Sequence, residues 1–244
     1  MGLLSLFQKK RSAGGCSAII VAAGSARRME GIDKVLTTLG ELPVLVHTLR
    51  VFQQCPDIAE IIVVTREDLM VEVGSICQDF ALTKVSKVIK GGKERIHSVQ
   101  AGLSEVREDA ELIAIHDGAR PLLPPEVLEE VLHRAAQTGA AAPAVPITDT
   151  VKRSENGLAV ETVDRSTLFA VQTPQVFQAD LIRAAVQKAL EDGEVLTDDC
   201  AAVERLGMKV SLTRGSRENL KLTTPFDLIV GEAILDARER GELG

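Results

Sequence analysis

Short apolar runs alternate along the chain with longer stretches whose apolar positions recur at helical spacing. Ile19, Ile20 and Val21 make a β-branched run, and Glu60 to Thr65 (EIIVVT) make a second; both predict strands buried on two faces. Val85 to Ile89 leads into a glycine turn, and Leu112 to Ile115 predicts a further strand that ends in His116, Asp117 and Gly118. Between the first two strands, Pro43 to Gln54 (PVLVHTLRVFQQ) has helical spacing and stops near Pro56. Farther on, Asp180 to Leu190 and Thr224 to Arg238 predict helices on either side of a strand at Lys209 to Thr213. This alternation predicts the α/β class, as a doubly wound, mostly parallel sheet with its site in the loops at the carboxyl ends of the strands.

One region departs from the alternation. Between Ala144 and Phe177, two strand-like runs flank Glu155-Asn156-Gly157, a hairpin signal. The expectation is a projecting β-arm at about 146–172, inserted into a single domain that spans 16–244 behind a flexible tail at 1–15. An arm of this size has too little core to stand alone, so it is expected to pack on a second subunit in a homodimer.

Residues Ser17 to Lys34 (SAIIVAAGSARRMEGIDK) carry the first candidate chemistry. A strand ends in Ala22, Ala23 and Gly24, whose small side chains let a ligand lie against the backbone. Arg27, Arg28 and Lys34 follow at once and suit phosphates. No GK[ST] follows, so this is not a Walker loop, and Ala26 stands where the dinucleotide fingerprint has its second glycine. An ordinary strand-to-helix connection with solvated arginines would read the same way in isolation.

Composition narrows the class. A formal net charge of -7 over 244 residues argues against a general nucleic-acid binder, and the lack of Trp and Tyr argues against base-stacking platforms. Cys16, Cys55, Cys77 and Cys200 are scattered without metal spacing, which predicts neither a disulfide framework nor structural zinc and fits a reduced, cytoplasmic compartment. No apolar run approaches the roughly 20 residues that span a bilayer.

The chain resembles the 2-C-methyl-D-erythritol 4-phosphate cytidylyltransferase family. The resemblance runs from about Ser17 to Leu235 and rests on AAGSARRM, GGKERIHSVQAGL, HDGARP, DTVKR, TVDRSTLFAVQTPQVF, LTDDCAAVE and NLKLTTPFDL in the family's order. It implies a Rossmann-like nucleotidyltransferase fold and transfer of a cytidylyl group from CTP to a sugar-alcohol phosphate, with Mg²⁺ or another divalent cation. By the same resemblance, Arg27 and Lys34 serve the triphosphate, while Lys221 stabilises charge at the reacting phosphorus. Asp117 stands beside the metal. Ala22, Ala23, Gly24, Gly92, Arg95 and Ser98 hold the nucleotide, with Gly118 against the ribose. Thr150, Arg165, Thr173 and Thr197 are assigned to the sugar phosphate, partly across a dimer interface, with Arg165 also counted among the catalytic cations.

Neighbouring polar residues have plainer readings. His116 is expected to be structural, and Asp198 and Asp199, which look like a metal pair, are better read as marking a helix N-cap at Thr197 or Asp198. Lys93 stands where some members of the family are acidic. Two other functions fit parts of the same pattern: a sister enzyme using ribitol 5-phosphate, and a nucleotide-sensing protein that has lost the chemistry. Retention of Lys34, Asp117 and Lys221 favours an active enzyme.

Overall fold

The computed structural model describes residues 15–24 and 35–243. In chain order the first half contains β1 (Cys16–Val21), the short strands β2 (Thr38–Leu39) and β3 (Leu42–Pro43), α1 (Val44–Gln54), β4 (Ile58–Thr65), α2 (Met70–Asp79), β5 (Val85–Lys90), α3 (Arg95–Glu105) and β6 (Leu112–Asp117). The second half contains α4 (Pro125–Thr138), β7 (Ala140–Pro146), β8 (Val151–Glu155), β9 (Leu158–Val163), β10 (Phe169–Val171), β11 (Gln175–Gln178), α5 (Ala179–Glu191), α6 (Asp199–Arg205), β12 (Ser211–Arg214) and α7 (Pro225–Glu239).

Eight of the described strands form one sheet in the order β5, β4, β1, β6, β11, β7, with β10 and β12 also paired to β7. Strands β5, β4, β1 and β6 run parallel, and β11 enters antiparallel between β6 and β7. The strand period of two sends alternate residues to opposite faces. Ala18, Ile20, Ile61, Val63 and Ala114 pack with α1, α2 and α4 on one face, and Ile19, Ile62, Val64, Ile113 and Ile115 pack with α3, α5 and α6 on the other. A small third cluster of Leu39, Val44, Leu122 and Leu222 seats α7 through Leu228, Ile234 and Leu235.

Strand β6 ends in His116 and Asp117, as expected, because parallel pairing continues to Ile20↔His116 and Val21↔Asp117; Gly118 follows it. Of the two expected caps of α6, Asp198 is the one used: its side chain accepts from the Ala201 N–H. One bound needs adjustment: β12 begins at Ser211 instead of Lys209, since its pairing with β7 starts at Ser211↔Ala141. The arm forms as a hairpin of β8 and β9 turning through Asn156 and Gly157, at φ of 49° and 80°. Positive φ at both central residues is the condition for a two-residue hairpin turn of type I′, and Asn-Gly meets it. Of the tail expected at 1–15, only Gly15 is among the described residues.

Candidate active site

The order of the strands places the site. From β1 the sheet runs to β4 and β5 on one side and to β6 on the other, so the chain reverses its progress between β1 and β6. Such a switch point leaves a crevice at the carboxyl ends of the two strands. Here the end of β1 and the backbone just after β6 lie side by side, tied by Gly118 N–H to Val21 C=O at 2.9 Å, while Ala22 N–H to Val64 C=O at 2.7 Å fixes the loop after β1 to β4 on the other side.

A cavity of about 240 Å³ opens there, walled by Val21 to Gly24, Val35, Gly92 to Arg95, Ser98, Asp117, Ala119 and Lys221. The second loop must be glycine. A Cβ on Gly92 would come within 2.3 Å of the His97 Cβ, which fixes how tightly the chain turns into α3. Ser98, buried in the first turn of α3, accepts from Gly92 N–H at 3.1 Å and locks that turn.

Charge concentrates on Asp117. Lys221 Nζ stands 2.8 Å from its Oδ2, Arg95 Nε 3.5 Å from its Oδ1 and Arg120 Nε 3.7 Å from its Oδ2. Burial pushes the Asp117 carboxyl up, but Lys221, Arg95 and Arg120 outweigh it and hold the group well below the ordinary carboxylate range. Arg95 is itself gripped by Asp199 through two 2.7 Å hydrogen bonds. Burial disfavours its charge, and Asp199 and then Asp117 more than restore it. Two lysines also face the cavity: Lys221, paired with Asp117, and Lys93.

Behind Asp117 sits a chain of bonds with one fixed direction. Asp117 N–H donates to Thr173 Oγ1 at 3.1 Å, and Thr173 Oγ1 lies 3.0 Å from His116 Nδ1. His116 Nε2 is 3.2 Å from the Arg120 carbonyl, which can only accept, so Nε2 carries the proton and Nδ1 accepts from the Thr173 hydroxyl. His116 is therefore structural, as expected, and packs tilted against Phe52, with ring centroids 5.0 Å apart and 54° between the ring planes.

The sequence model described as IspD, 2-C-methyl-D-erythritol 4-phosphate cytidylyltransferase, matches residues 16–237. The chain belongs to this family. Two similar cytidylyltransferases carry the same description: that of Caldanaerobacter subterraneus subsp. tengcongensis is 45% identical over 90% of this chain and 98% of the relative, and that of Halalkalibacterium halodurans 43% identical over 92% and 98%. The crystal structure of 4-diphosphocytidyl-2C-methyl-D-erythritol synthase from Anaerococcus prevotii superposes with a TM-score of 0.82 at 30% identity, covering 94% of this chain and all of that one.

Of the family positions, the structure brings Ala22, Ala23, Gly24, Gly92, Arg95, Ser98, Asp117 and Lys221 to one cavity. Gly118 is not in its wall; it packs behind the first loop, where an added Cβ would lie 3.0 Å from the Ala22 Cβ. Arg27, Arg28 and Lys34 lie outside the described residues. Thr173 is buried beneath Asp117, whereas Thr150, Arg165 and Thr197 are exposed and outside the cavity wall of this single chain. Arg165 donates to the Thr148 carbonyl at the base of the arm.

A magnesium ion held mainly by substrate phosphates needs only one or two protein carboxylates. Asp117, ionised and facing the cavity, fits that requirement. Among the described residues no cluster of three His, Cys, Asp or Glu side chains forms a site made by protein alone. Asp198 and Asp199 are not a metal pair: Asp198 caps α6 and binds Gln175 Nε2 at 2.8 Å, and Asp199 is spent on Arg95. Arg120, Asp199 and Asn219 were missed as site residues. Arg120 lies inside the HDGARP string, where a charge directly after the strand end was the available signal.

Proposed function

We propose that the chain transfers the cytidylyl group of CTP to 2-C-methyl-D-erythritol 4-phosphate, the acceptor in the names of its relatives, as a step of isoprenoid precursor synthesis. A phosphate oxygen of the acceptor bonds to the α-phosphorus of CTP. The bond from that phosphorus to the oxygen of the β-phosphate breaks, and pyrophosphate leaves with the electron pair. The acceptor phosphate is already largely ionised at neutral pH, its second pKa being about 6, so no general base is required. What the protein supplies is alignment and neutralisation of charge as the phosphorus becomes five-coordinate.

The observation that carries this reading is Lys221, 2.8 Å from Asp117 at the wall of a cavity formed by two glycine-bearing loops. A lysine held at that point can transfer its charge to the α-phosphate when CTP enters, and Arg27 and Lys34 are assigned to the rest of the triphosphate. Mg²⁺, when bound, would be held by Asp117 and would offset charge on the phosphates. The backbone of Ala22 to Gly24, with Gly92 and Ser98, suits a pyrimidine base read by peptide groups. Thr150, Arg165 and Thr197 are assigned to an acceptor site completed by a second copy of the chain. The exposed apolar residues Leu158 and Val160 on the arm, with Phe169 and Val171 on the edge strand β10, support that homodimer. No described helix is long and apolar enough to cross a membrane, and four free, buried cysteines are consistent with a cytoplasmic location.

The test is pyrophosphate release with Mg²⁺ and CTP, offering 2-C-methyl-D-erythritol 4-phosphate and ribitol 5-phosphate in parallel. Release with the first and not the second is expected. Release with ribitol 5-phosphate alone, or with neither while CTP still binds, would overturn the assignment.

A further inference from the structure

Lys221 stands on neither strand nor helix: between the end of β12 at Arg214 and the start of α7 at Pro225 the chain has no regular structure. Its aim comes from bonds to neighbouring segments: Leu222 N–H donates to the Ala119 carbonyl at 2.8 Å just after it, and side-chain bonds hold the loop before it. The residue that gathers them is Asn219, fully buried and two positions before Lys221. Its Nδ2 donates to the Thr173 carbonyl at 2.9 Å and to Gln172 Oε1 at 3.2 Å. Its own carbonyl accepts from Arg120 Nη1 at 2.6 Å. Gln172 closes the clamp from the other side, donating to the Ser216 carbonyl at 2.8 Å and accepting from Ser216 N–H at 3.3 Å.

These bonds join three separate segments. Gln172 and Thr173 form the bend between β10, where the chain returns from the arm, and β11. Thr173 holds the backbone of Asp117, and Arg120 faces the Asp117 carboxylate. Asn219 thus ties the Lys221 loop both to the strand end carrying Asp117 and to the root of the arm. A buried neutral amide with both donors on acceptors from another segment points to a fixed orientation rather than to chance filling, because the Thr173 carbonyl would lose its partner without it and Gln172 Oε1 would keep only the Ser216 N–H.

We propose that Asn219, with Gln172 as its counterpart, is a positioning residue that aims Lys221 at the reacting phosphorus and couples that aim to the seating of the arm. This rests on the reading of Lys221 given above. The Asn219 amide touches no substrate; it acts through the loop.

The experiment compares Asn219→Ala, Lys221→Ala, the double variant and Gln172→Met, each checked for cooperative thermal unfolding. Steady-state kinetics are measured with CTP and Mg²⁺. Asn219→Ala is expected to lower kcat by about 10- to 100-fold with little change in KM for CTP, since misplacing a charge costs rate more than binding. Adding Asn219→Ala to Lys221→Ala should then cause no further loss, and Gln172→Met should repeat the Asn219 pattern if Asn219→Ala fails to fold. Independent, multiplying losses in the double variant would overturn the positioning role while leaving the role of Lys221 in place. Near-normal turnover of Lys221→Ala would overturn the site reading and this inference with it.

Discussion

At the scale of single residues, one prediction concerns the lysines assigned to the phosphates and another the groups around Asp117. Lys34→Ala or Lys221→Ala should reduce kcat by roughly 100- to 1,000-fold, the usual range for removing one group aimed at developing charge, with the circular dichroism spectrum unchanged. The second concerns pH. His116 is wholly buried, and burial lowers its pKa to about 4 from the ordinary 6.5. Between those values the unfolded chain takes up the proton and the folded one does not, so stability falls as pH drops from 6.5 towards 4, by a total on the order of 3 kcal/mol. Asp117 adds a loss of the same sign at still lower pH, since its folded value is also depressed. Urea unfolding of the nucleotide-free protein across this range should show the slope, and His116→Asn should flatten it; an identical slope in the variant would assign the effect elsewhere. The positions of Asp117 and Lys221 were legible in the sequence through their motifs. The clamp around Asn219 was not, because its partners lie 46 and 47 positions away and no local pattern encodes which amide reaches which carbonyl.

At the scale of elements, legibility followed the strength of the local signal. Strand β4, with near-continuous apolar residues, and helix α1, with regular spacing, came out close to the expected bounds. Asn156-Gly157 marked its turn because few other pairs tolerate that backbone. Strand starts were less readable where the partner strand sets them: β12 waits for the start of β7. The start of α7 is fixed by chemistry in its own sequence. Thr224 accepts from Asp227 N–H at 3.3 Å, and Asp227 Oδ2 returns the contact to Thr224 N–H at 2.8 Å and Thr223 N–H at 2.7 Å. Asp227→Ala removes the carboxylate half of this reciprocal cap, leaving the backbone bond to Thr224 Oγ1, and should cost about 1 kcal/mol. Because the same cap ends the Lys221 loop, thermal unfolding and turnover should fall together; lowered melting with unchanged kcat would show that the loop is held by Asn219 without help from α7.

At the scale of the whole molecule, the arm stands out against the double-layered core. Strands β8 and β9 pair with each other and with no other described strand, and a two-stranded hairpin is at best marginally stable in water. Leu158 and Val160, on one face of β9, are 72% and 51% exposed in the single chain. The residues assigned to the acceptor divide in the same way: Thr173 lies under Asp117, whereas Arg165 and Thr150 sit at the arm's base and outside the cavity. A second copy of the chain would resolve both features at once, by covering the apolar strip and by bringing arm residues to its neighbour's cavity. The double substitution Leu158→Lys with Val160→Lys places two charges in that strip without touching either core. Sedimentation should then change from dimer to monomer while the circular dichroism spectrum is preserved, and KM for the sugar phosphate should rise far more than KM for CTP. A variant that becomes monomeric yet keeps both constants would show that each chain binds its acceptor alone, and a wild type that sediments as a monomer at assay concentration would remove the shared site altogether.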